Sequence, residues 1–166
     1  MEAYIQDEDI RNLVQAAREI RRALLRRGLD EATVRALVDK PAGKASLAPD
    51  GSLEIGGARV NLTPLERALY GLLFRHPEGI RPADFWRHYT ELLEIYRHMT
   101  VFFDHGRTEA AVDTLCDDDR RTLRTNVSRI RRKVRETAGE TAAGCYAIAL
   151  GKDGAYKIPA RAEMAG

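Results

Sequence analysis

Residues 119–135, with the sequence DRRTLRTNVSRIRRKVR, contain the pattern that decides the fold. At 3.6 residues per turn, one narrow stripe of this stretch carries its apolar side chains, Leu123, Val127, Ile130 and Val134. The opposite side carries basic and hydroxyl side chains, namely Arg121, Arg124, Thr125, Ser128, Arg131, Arg132 and Arg135. Because no acidic residue lies between Arg120 and Arg135, we predict a helix over about residues 119–137 that buries one edge and presents the other to a negatively charged partner.

The residues in and around this helix bear on the kind of partner that it binds. Asp117, Asp118 and Asp119 precede it, where carboxylates complement the helix dipole and can cap free N–H groups. A basic face is often only solvated, and that interpretation stays open for this one. The hydroxyls of Thr125 and Ser128 lie between arginines and can form hydrogen bonds with base edges, so the pattern favours nucleic acid.

Length and composition set limits on the class of protein. A chain of 166 residues forms one domain with an appendage or two very small domains, and 44% hydrophobic residues suffice for a core. No apolar run approaches the length of a membrane span, and the acidic residues 1–9 lack the apolar segment of a signal peptide. Cys116 and Cys145 show no metal-type spacing, so we expect reduced thiols in a cytoplasmic protein.

The net charge of +2 hides an uneven distribution of charged residues along the chain. Residues 1–60 balance, whereas residues 61–119 carry a net charge of −5 and residues 120–166 a net charge of +7. Charge that is segregated in this way indicates a surface for a polyanion at the C-terminal end of the chain.

The N-terminal segment, residues 1–40, is predicted to be helical and to dimerise or dock. Over residues 6–28 the apolar residues recur with alternating spacings of three and four, as in a coiled-coil seam: Ile10, Leu13, Ala17, Ile20 and Leu24. Gly28 is a typical helix stop, and Asp30 can cap a shorter helix that runs to about Asp39. The seam either packs on the rest of the chain or pairs with its copy in a second subunit. We favour the homodimer, because a basic helix that binds DNA gains affinity and specificity from a two-fold partner.

Residues 41–160 are predicted to form one α+β domain, which follows a linker at residues 40–44 and precedes a frayed tail at residues 161–166. Residues 45–62 alternate with a period of two and contain two glycine turns, which predicts three short antiparallel strands. A capping box then starts a helix, with Thr63 as the N-cap, Pro64 at the first helical position and Glu66 at the third.

Three further elements are predicted on either side of the basic helix. A helix from about Pro82 to Met99 has one apolar stripe that starts at Phe85 and a partial second stripe of Trp86 and Leu93, so we expect it to be covered on two sides. Residues 108–115 can form a short helix. After Gly144 the period returns to two, which predicts a hairpin with Tyr146 and Ile148 in its first strand, Tyr156 and Ile158 in its second, and a turn at residues 151–154.

This order of elements resembles the winged-helix DNA-binding domain of the OmpR/PhoB class of response regulators. Three stretches within residues 45–159 carry the likeness, in the family's order. Leu62-Thr-Pro-Leu-Glu66 and Leu72-Leu-Phe-Arg-His-Pro77 are similar to the family's L-T-P-x-E-x-x-L-L-x-x-L-x-x-[HN]-P. Residues 121–134 resemble its recognition helix, R-T-V-D-V-H-I-x-R-L-R-x-K-L, and residues 153–158 resemble the end of its wing, G-x-G-Y-x-[LF].

The resemblance implies a winged helix-turn-helix fold whose basic helix enters the major groove of double-stranded DNA and whose wing, residues 145–159, reaches an adjacent minor groove. Arg124, Thr125 and Ser128 are then placed towards base edges. Contacts with phosphates, or at the ends of the interface, are the implied role of the remaining arginines, Arg121, Arg131, Arg132 and Arg135. Lys152, in the wing turn, is the candidate for the minor-groove contact. We therefore expect a sequence-specific transcription regulator.

The chain departs from the family pattern at three places. Arg124, Thr125 and Asn126 replace the family's usual Asp, Val and His, so the base preference should be its own. The interval from Thr100 to Asp118 is longer than the family's loop that often meets RNA polymerase, which leaves the polymerase only a candidate partner. The N-terminal segment is too short for a receiver domain, so we expect a stand-alone regulator without a phosphorylation switch.

An enzyme and a protein-interaction adaptor are the alternatives to a DNA-binding regulator. The chain's histidines, His76, His88, His98 and His105, show no H-E-x-x-H or comparable pairing, and no Ser, Cys or Asp lies in a recognisable nucleophile context. We therefore expect no catalysis, no metal and no cofactor. A winged-helix adaptor is the stronger alternative, because the acidic residues 61–119 could mask the basic helix. Salt separates the two, since a DNA-binding protein loses affinity steeply as salt rises and an adaptor does not.

Overall fold

The computed structural model describes residues 7–28, 30, 43–99, 105–161 and 164, with side-chain burial from residue 11 onwards except at residue 105. The described residues form a mixed α+β structure with six α-helices, a three-stranded antiparallel sheet and a two-stranded sheet, which confirms the predicted class. The chain divides into two compact units, Met1–Pro41 and Ala42–Gly166. The short helix expected between residues 31 and 39 and the apolar residues 101–103 lie outside the described residues.

Helix α1 of the first unit spans Asp7–Arg26. Gly28 follows it with φ 84°, a left-handed conformation that glycine adopts most easily, and its N–H donates to the Leu25 carbonyl. Two residues of the predicted seam, Leu13 and Ile20, are 66% and 56% exposed. Leu13, Ala17 and Ile20 therefore form an exposed apolar stripe, whereas Leu24 is half-buried.

The second unit begins with a three-stranded antiparallel sheet of β1 (Ala45–Leu47), β2 (Leu53–Ile55) and β3 (Ala58–Val60) in sequence order. Leu53 pairs with Leu47 on one side and with Val60 on the other. The Asp50 carboxylate closes the first turn by accepting a hydrogen bond from the Ser52 N–H at 2.9 Å. The alternating pattern thus predicted the strands and the Asp-Gly turn correctly.

Helix α2, Pro64–Arg75, starts with the predicted capping box. The Glu66 N–H donates to the Thr63 hydroxyl oxygen at 3.3 Å, and the Glu66 carboxylate accepts from the Thr63 N–H at 2.9 Å. The helix buries most of its length in the centre of the second unit. Its Tyr70 hydroxyl donates to the Tyr146 carbonyl at 2.7 Å, which fixes a distant part of the chain to this helix.

The predicted helix 82–99 consists of two parts, a 3₁₀ helix over Pro82–His88 and helix α3 over Tyr89–Met99. Phe85 and Leu93 are buried, but Trp86 is 62% exposed, so the expected second buried stripe is wrong at this residue. A 3₁₀ helix has about three residues per turn, and it therefore breaks the 3.6-residue register that would place Trp86 above Leu93.

Three helices follow: α4 over His105–Leu115, α5 over Arg121–Ala138 and α6 over Glu140–Tyr146. Helix α5 contains the predicted basic stretch, whereas α6 was not predicted. The two-stranded sheet consists of β4 (Ala149–Leu150) and β5 (Tyr156–Lys157), so the prediction that Tyr146 lies in a strand is wrong. Tyr146 ends α6 because its burial and its bond with Tyr70 outweigh the local alternation.

The end of the chain is partly packed, which corrects the prediction of a frayed tail. Met164 is buried, and the Tyr70 hydroxyl lies 3.5 Å from its sulfur. The Arg161 guanidinium lies 3.7 Å from the centre of the Phe74 ring and donates to the Phe74 carbonyl.

The core of the second unit lies between α2, the three-stranded sheet and the other helices. Its largest fully buried side chains include Tyr70, Phe85, Leu92, Leu123 and Ile130. Across the described parts of the chain, no helix combines the length and the apolar content that a membrane crossing requires.

Candidate nucleic-acid interface

Helix α5 is held in place by its apolar side, which packs against α2, α4, α6 and β3. Leu123, Ile130 and Val134 are fully buried and Val127 partly buried, as the stripe in the sequence predicts. Asn126 is also buried, and its side-chain amide donates to the Thr122 carbonyl at 2.8 Å. Asn126 therefore belongs to the packed side of the helix and not to its exposed face.

A buried ion pair fixes α5 to the start of α2. The Lys133 ammonium lies 2.6 Å from the Glu66 carboxylate, and Glu66 is only 1% exposed. The same carboxylate oxygen accepts the capping bond from the Thr63 N–H, so Glu66 joins the N-terminus of α2 to the middle of α5. Lys133 is thus a structural cation, in contrast to the arginines around it.

The opposite side of α5 is exposed and basic, as predicted. Exposed side chains are Arg121, Arg124, Ser128, Arg131, Arg132 and Arg135, whereas Thr125 is half-buried. A shallow depression on this face is lined by Arg124, Thr125, Ser128, Arg129 and Arg132. Arg129 was missed from the sequence. Its spacing of four from Thr125 and three from Arg132 was the signal that could have identified it.

The arginines of this face differ in their partners. Arg135 Nε lies 2.8 Å from a Glu140 carboxylate oxygen, and Arg132 Nε lies 3.8 Å from Glu136. In the part of the chain that the structure describes, Arg121, Arg129 and Arg131 have no carboxylate within 4.0 Å. These three side chains are the cations most available to an external anion.

The N-terminus of α5 has its own arrangement of charge. The Arg121 N–H donates to the Asp119 carboxylate at 2.9 Å, so one of the three aspartates accepts a hydrogen bond from this end. The N-cap position itself is occupied by Arg120, with φ 55°, and it makes no side-chain capping bond. Arg124 Nη2 donates to the Asp119 carbonyl at 3.2 Å. A second depression beside this end is lined by Pro82, Asp118, Asp119, Arg120, Arg124 and Tyr156. Arg124 lines both depressions and therefore lies at the junction of the basic and acidic parts of the surface.

The hairpin β4–β5 presents Lys152 at its exposed turn. The turn is closed by hydrogen bonds from the Gly151 N–H to the Ala155 carbonyl and from the Gly154 N–H to the Gly151 carbonyl. Backbone hydrogen bonds in both directions between Ile80 and Tyr156, at 3.0 and 2.9 Å, fasten the hairpin to the segment after α2. Lys152 thus lies on a different element from the other predicted residues, which all belong to α5, and it does not line the depression on that helix.

A second cluster was not predicted from the sequence. His76 at the end of α2, His88 at the end of the 3₁₀ helix and Glu91 in the first turn of α3 offer ligand atoms that all lie within 4.8 Å of one another. No sequence motif pairs His76 with His88, yet the fold places their rings 4.6 Å apart. The spacing His88-x-x-Glu91 places two of these side chains on one helical face, which was the available signal.

The charges within this cluster are coupled. Partial burial alone would lower the pKa of His76, but hydrogen bonds with the Glu91 and Glu78 carboxylates outweigh it and raise that pKa. Burial works in the opposite direction on Glu91, and the hydrogen bond with His76 prevails, so the pKa of Glu91 is lowered. Glu91 is therefore ionised at neutral pH.

The cysteines show no sign of an activated nucleophile. Cys116 and Cys145 are free thiols and do not pair with each other. Burial raises the pKa of Cys116 to about 11, and the Asp113 carboxylate adds to the rise. The Cys116 thiol is consequently protonated and weakly reactive at neutral pH.

No protein-family model, curated protein or solved structure matches this chain. The function therefore has to be argued from the two faces of α5, the hairpin β4–β5 and the exposed stripe of α1.

Proposed function

We propose that the second unit is a winged-helix domain of the OmpR/PhoB class that binds double-stranded DNA and belongs to a sequence-specific transcription regulator. The observation that carries the proposal is the division of α5 into two sides. The apolar side is buried except for the half-buried Val127, and on the exposed side Arg121, Arg129 and Arg131 have no carboxylate partner among the described residues. A helix that is anchored along one side and basic along the other fits the width of the major groove.

Within this proposal the residues of α5 divide into two groups. Arg124, Thr125 and Ser128 line one depression and can contact base edges, since arginine binds guanine through two hydrogen bonds and hydroxyls accept or donate. Phosphates are left to Arg121, Arg129, Arg131 and Arg132, which supply affinity without sequence information. Arg135 contributes less, because Glu140 already neutralises its charge.

The hairpin β4–β5 is proposed as the wing, with Lys152 in the minor groove. Its attachment to Ile80 gives it a fixed position relative to α2. Gly79 permits this attachment, because it adopts φ 87° and a Cβ there would lie only 2.8 Å from the Tyr156 carbonyl oxygen. The wing is thus held by backbone contacts while its lysine stays exposed.

The exposed stripe of α1 is proposed to pair with the same stripe of a second copy. Leu13 and Ile20 follow the a/d spacing of a coiled coil, and their exposure leaves apolar surface that a dimer would bury. A two-fold dimer would present two basic helices to two half-sites on the DNA.

The test is fluorescence anisotropy of the full chain with random-sequence duplex DNA, titrated from low to near-physiological salt. We expect the logarithm of the association constant to fall with the logarithm of salt with a slope of several units, because each neutralised phosphate releases about 0.9 counterions. The triple variant Arg121→Gln/Arg129→Gln/Arg131→Gln should lose most of this binding, whereas Arg59→Gln, a single exposed charge on β3, serves as the control and should retain it.

Binding that is absent or insensitive to salt would overturn the proposal. In that case an adaptor that meets an acidic protein partner becomes the better explanation of the basic face. A selection for preferred DNA sites would follow a positive result, since only a sequence preference distinguishes a regulator from a nonspecific DNA-binding protein.

A further inference from the structure

We propose that His76, His88 and Glu91 form a zinc site that uses three protein ligands and leaves a fourth position for water. The three side chains come from different elements, namely the end of α2, the end of the 3₁₀ helix and the first turn of α3. Each is partly exposed, so a metal ion can enter from solvent without opening the core. None of the three residues belongs to helix α5, which carries the basic face.

The distances between the ligand atoms fit a small tetrahedral ion. His76 Nε2 lies 2.9 Å and His88 Nδ1 lies 3.6 Å from the same oxygen of Glu91, Oε2. Bonds of about 2.0–2.1 Å to a tetrahedral zinc ion separate its ligands by about 3.3 Å. Both distances lie within about half an ångström of that value, and the ligand nitrogens of the two histidines lie within 4.8 Å of each other. Rotations of the two imidazole rings would bring all three ligand atoms onto one ion.

The surroundings of the ligands match those of known zinc sites. His76 Nδ1 lies 3.2 Å from the Glu78 carboxylate, which leaves Nε2 as the nitrogen that faces the cluster. A carboxylate on the distal nitrogen of a histidine fixes the ring and raises its basicity as a ligand. Arg75 Nη1 lies 3.8 Å from Oε1 of Glu91, which leaves Oε2 to face the two histidines.

The donor set selects the metal. Two imidazole nitrogens and one carboxylate oxygen suit zinc, whereas magnesium and calcium prefer sites built from oxygen alone. A bound ion would tie the end of α2 to the start of α3 across the turn that holds Gly79 and Ile80. Zinc should therefore raise the thermal stability of the second unit.

The experiment measures zinc binding by the full chain after treatment with a chelator. A chromophoric zinc indicator gives the stoichiometry and affinity by competition, and differential scanning fluorimetry gives the shift in Tm. We expect one zinc ion per chain and a Tm that rises with zinc concentration. Cobalt, as a spectroscopic probe, should show the intense visible bands of a tetrahedral ion.

Three matched substitutions locate the site. His76→Gln and His88→Gln should each weaken zinc binding by more than about 100-fold, because a change in the outer shell alone costs about 10–100-fold. Glu78→Gln changes such an outer partner and should cost about 10–100-fold. His98→Gln is the control, since His98 lies on the exposed side of α3 with its Nδ1 at the Glu94 carbonyl, 2.7 Å away.

The proposal is wrong if the wild-type chain binds no zinc, or if both His76→Gln and His88→Gln bind it as tightly as the wild type does. The second result would assign the metal to other groups, such as the cysteine thiols. DNA binding by these variants should match the wild type, so a failure of the zinc site is distinguishable from a failure of the proposed function.

Discussion

Helices α1 and α5 have similar sequence patterns, but they differ in how far their apolar side chains are buried. Both carry apolar residues three and four apart along one side, and both carry several arginines on the other. Helix α5 buries Leu123, Ile130 and Val134 completely within its own unit, whereas α1 leaves Leu13 and Ile20 more than half exposed. An amphipathic pattern therefore specifies that a helix has an apolar side, and it leaves open what covers that side.

The contacts of α5 within its own unit account for the burial of its apolar side. Helix α5 packs its apolar side on α2, α4, α6 and β3 of its own unit. The same side also meets the buried carboxylate of Glu66 through Lys133, and this ion pair agrees with the rotation that buries the apolar residues. Helix α1 has a sharp end at Gly28, and its stripe stays exposed. The exposed stripe is the reason to propose a second copy as its partner.

The largest expected effect is on the buried side of α5. Ile130→Ala should lower the free energy of unfolding of the second unit by about 2–5 kcal/mol, because it removes buried methyl groups and leaves a cavity in a packed core. Chemical denaturation followed by circular dichroism measures the change. A loss below about 1 kcal/mol would mean that Ile130 is not in the core, and the comparison with α1 would fail.

The buried ion pair should matter nearly as much. Lys133→Ala leaves the Glu66 carboxylate without its cation and should cost about 3 kcal/mol of the free energy of unfolding, because an unpaired buried charge is strongly destabilising. The same denaturation experiment measures it. Lys133→Ala combined with Glu66→Gln should recover part of the loss, whereas no recovery would show that the lysine acts by packing alone.

The matching substitution in α1 should act on assembly. Ile20→Ala should change the free energy of unfolding of the second unit by less than about 0.5 kcal/mol, as exposed substitutions usually do. It should instead shift the chain from dimer to monomer in sedimentation velocity at micromolar concentration. A wild-type chain that is monomeric at all concentrations would contradict the proposed seam.

The next expected effect is on DNA recognition by the exposed side of α5, where we propose that Arg124 contacts bases. Arg124→Ala should alter the sequence preference by about 1–3 kcal/mol at one base pair, because a bidentate contact with guanine is lost. Binding assays with a set of single-base variants of the selected site measure this change. An equal loss of affinity for all of these DNA variants would mean that Arg124 contacts a phosphate and not a base.

The smallest expected effect is a change in the salt dependence of DNA binding, and it should differ between an arginine of α5 and an arginine of α1. Arg132→Ala should weaken all DNA sites alike and reduce the salt slope by about 1. Arg18→Ala removes the same charge from the exposed side of α1 and should leave the slope unchanged. Equal effects of the two substitutions would indicate that the charge of the whole chain, and not the face of α5, binds DNA.

Most of the local structure could be predicted from residue pattern. The capping box at Thr63, the Asp-Gly turn and the stop at Gly28 depend on contacts between residues at most three apart, which a sequence displays directly. The wrong predictions share a cause. Tyr146, Trp86 and Met164 were assigned by local pattern, and their positions depend on residues far along the chain or on a change of helix type.

The candidate sites follow the same rule. The basic face of α5 lies within one helix, so helical spacing alone brought its residues together. The cluster of His76, His88 and Glu91 was missed, because a turn and a 3₁₀ helix separate His76 from His88. The number of residues between the two histidines does not predict how that turn and helix place their side chains. Only the proximity of His88 and Glu91, which are three residues apart, could have been predicted from the sequence.

By itself the sequence determined most of the helices and strands, though not α6, and it determined that one helix separates apolar from basic side chains. These properties follow from steric preferences and hydrogen bonds over one or two turns. The tertiary structure alone decided that Lys133 pairs with Glu66, that Asn126 faces inwards and that two histidines meet at one glutamate. Such contacts depend on the relative placement of whole elements, which is set by the packing of the core and not by any short stretch of residues.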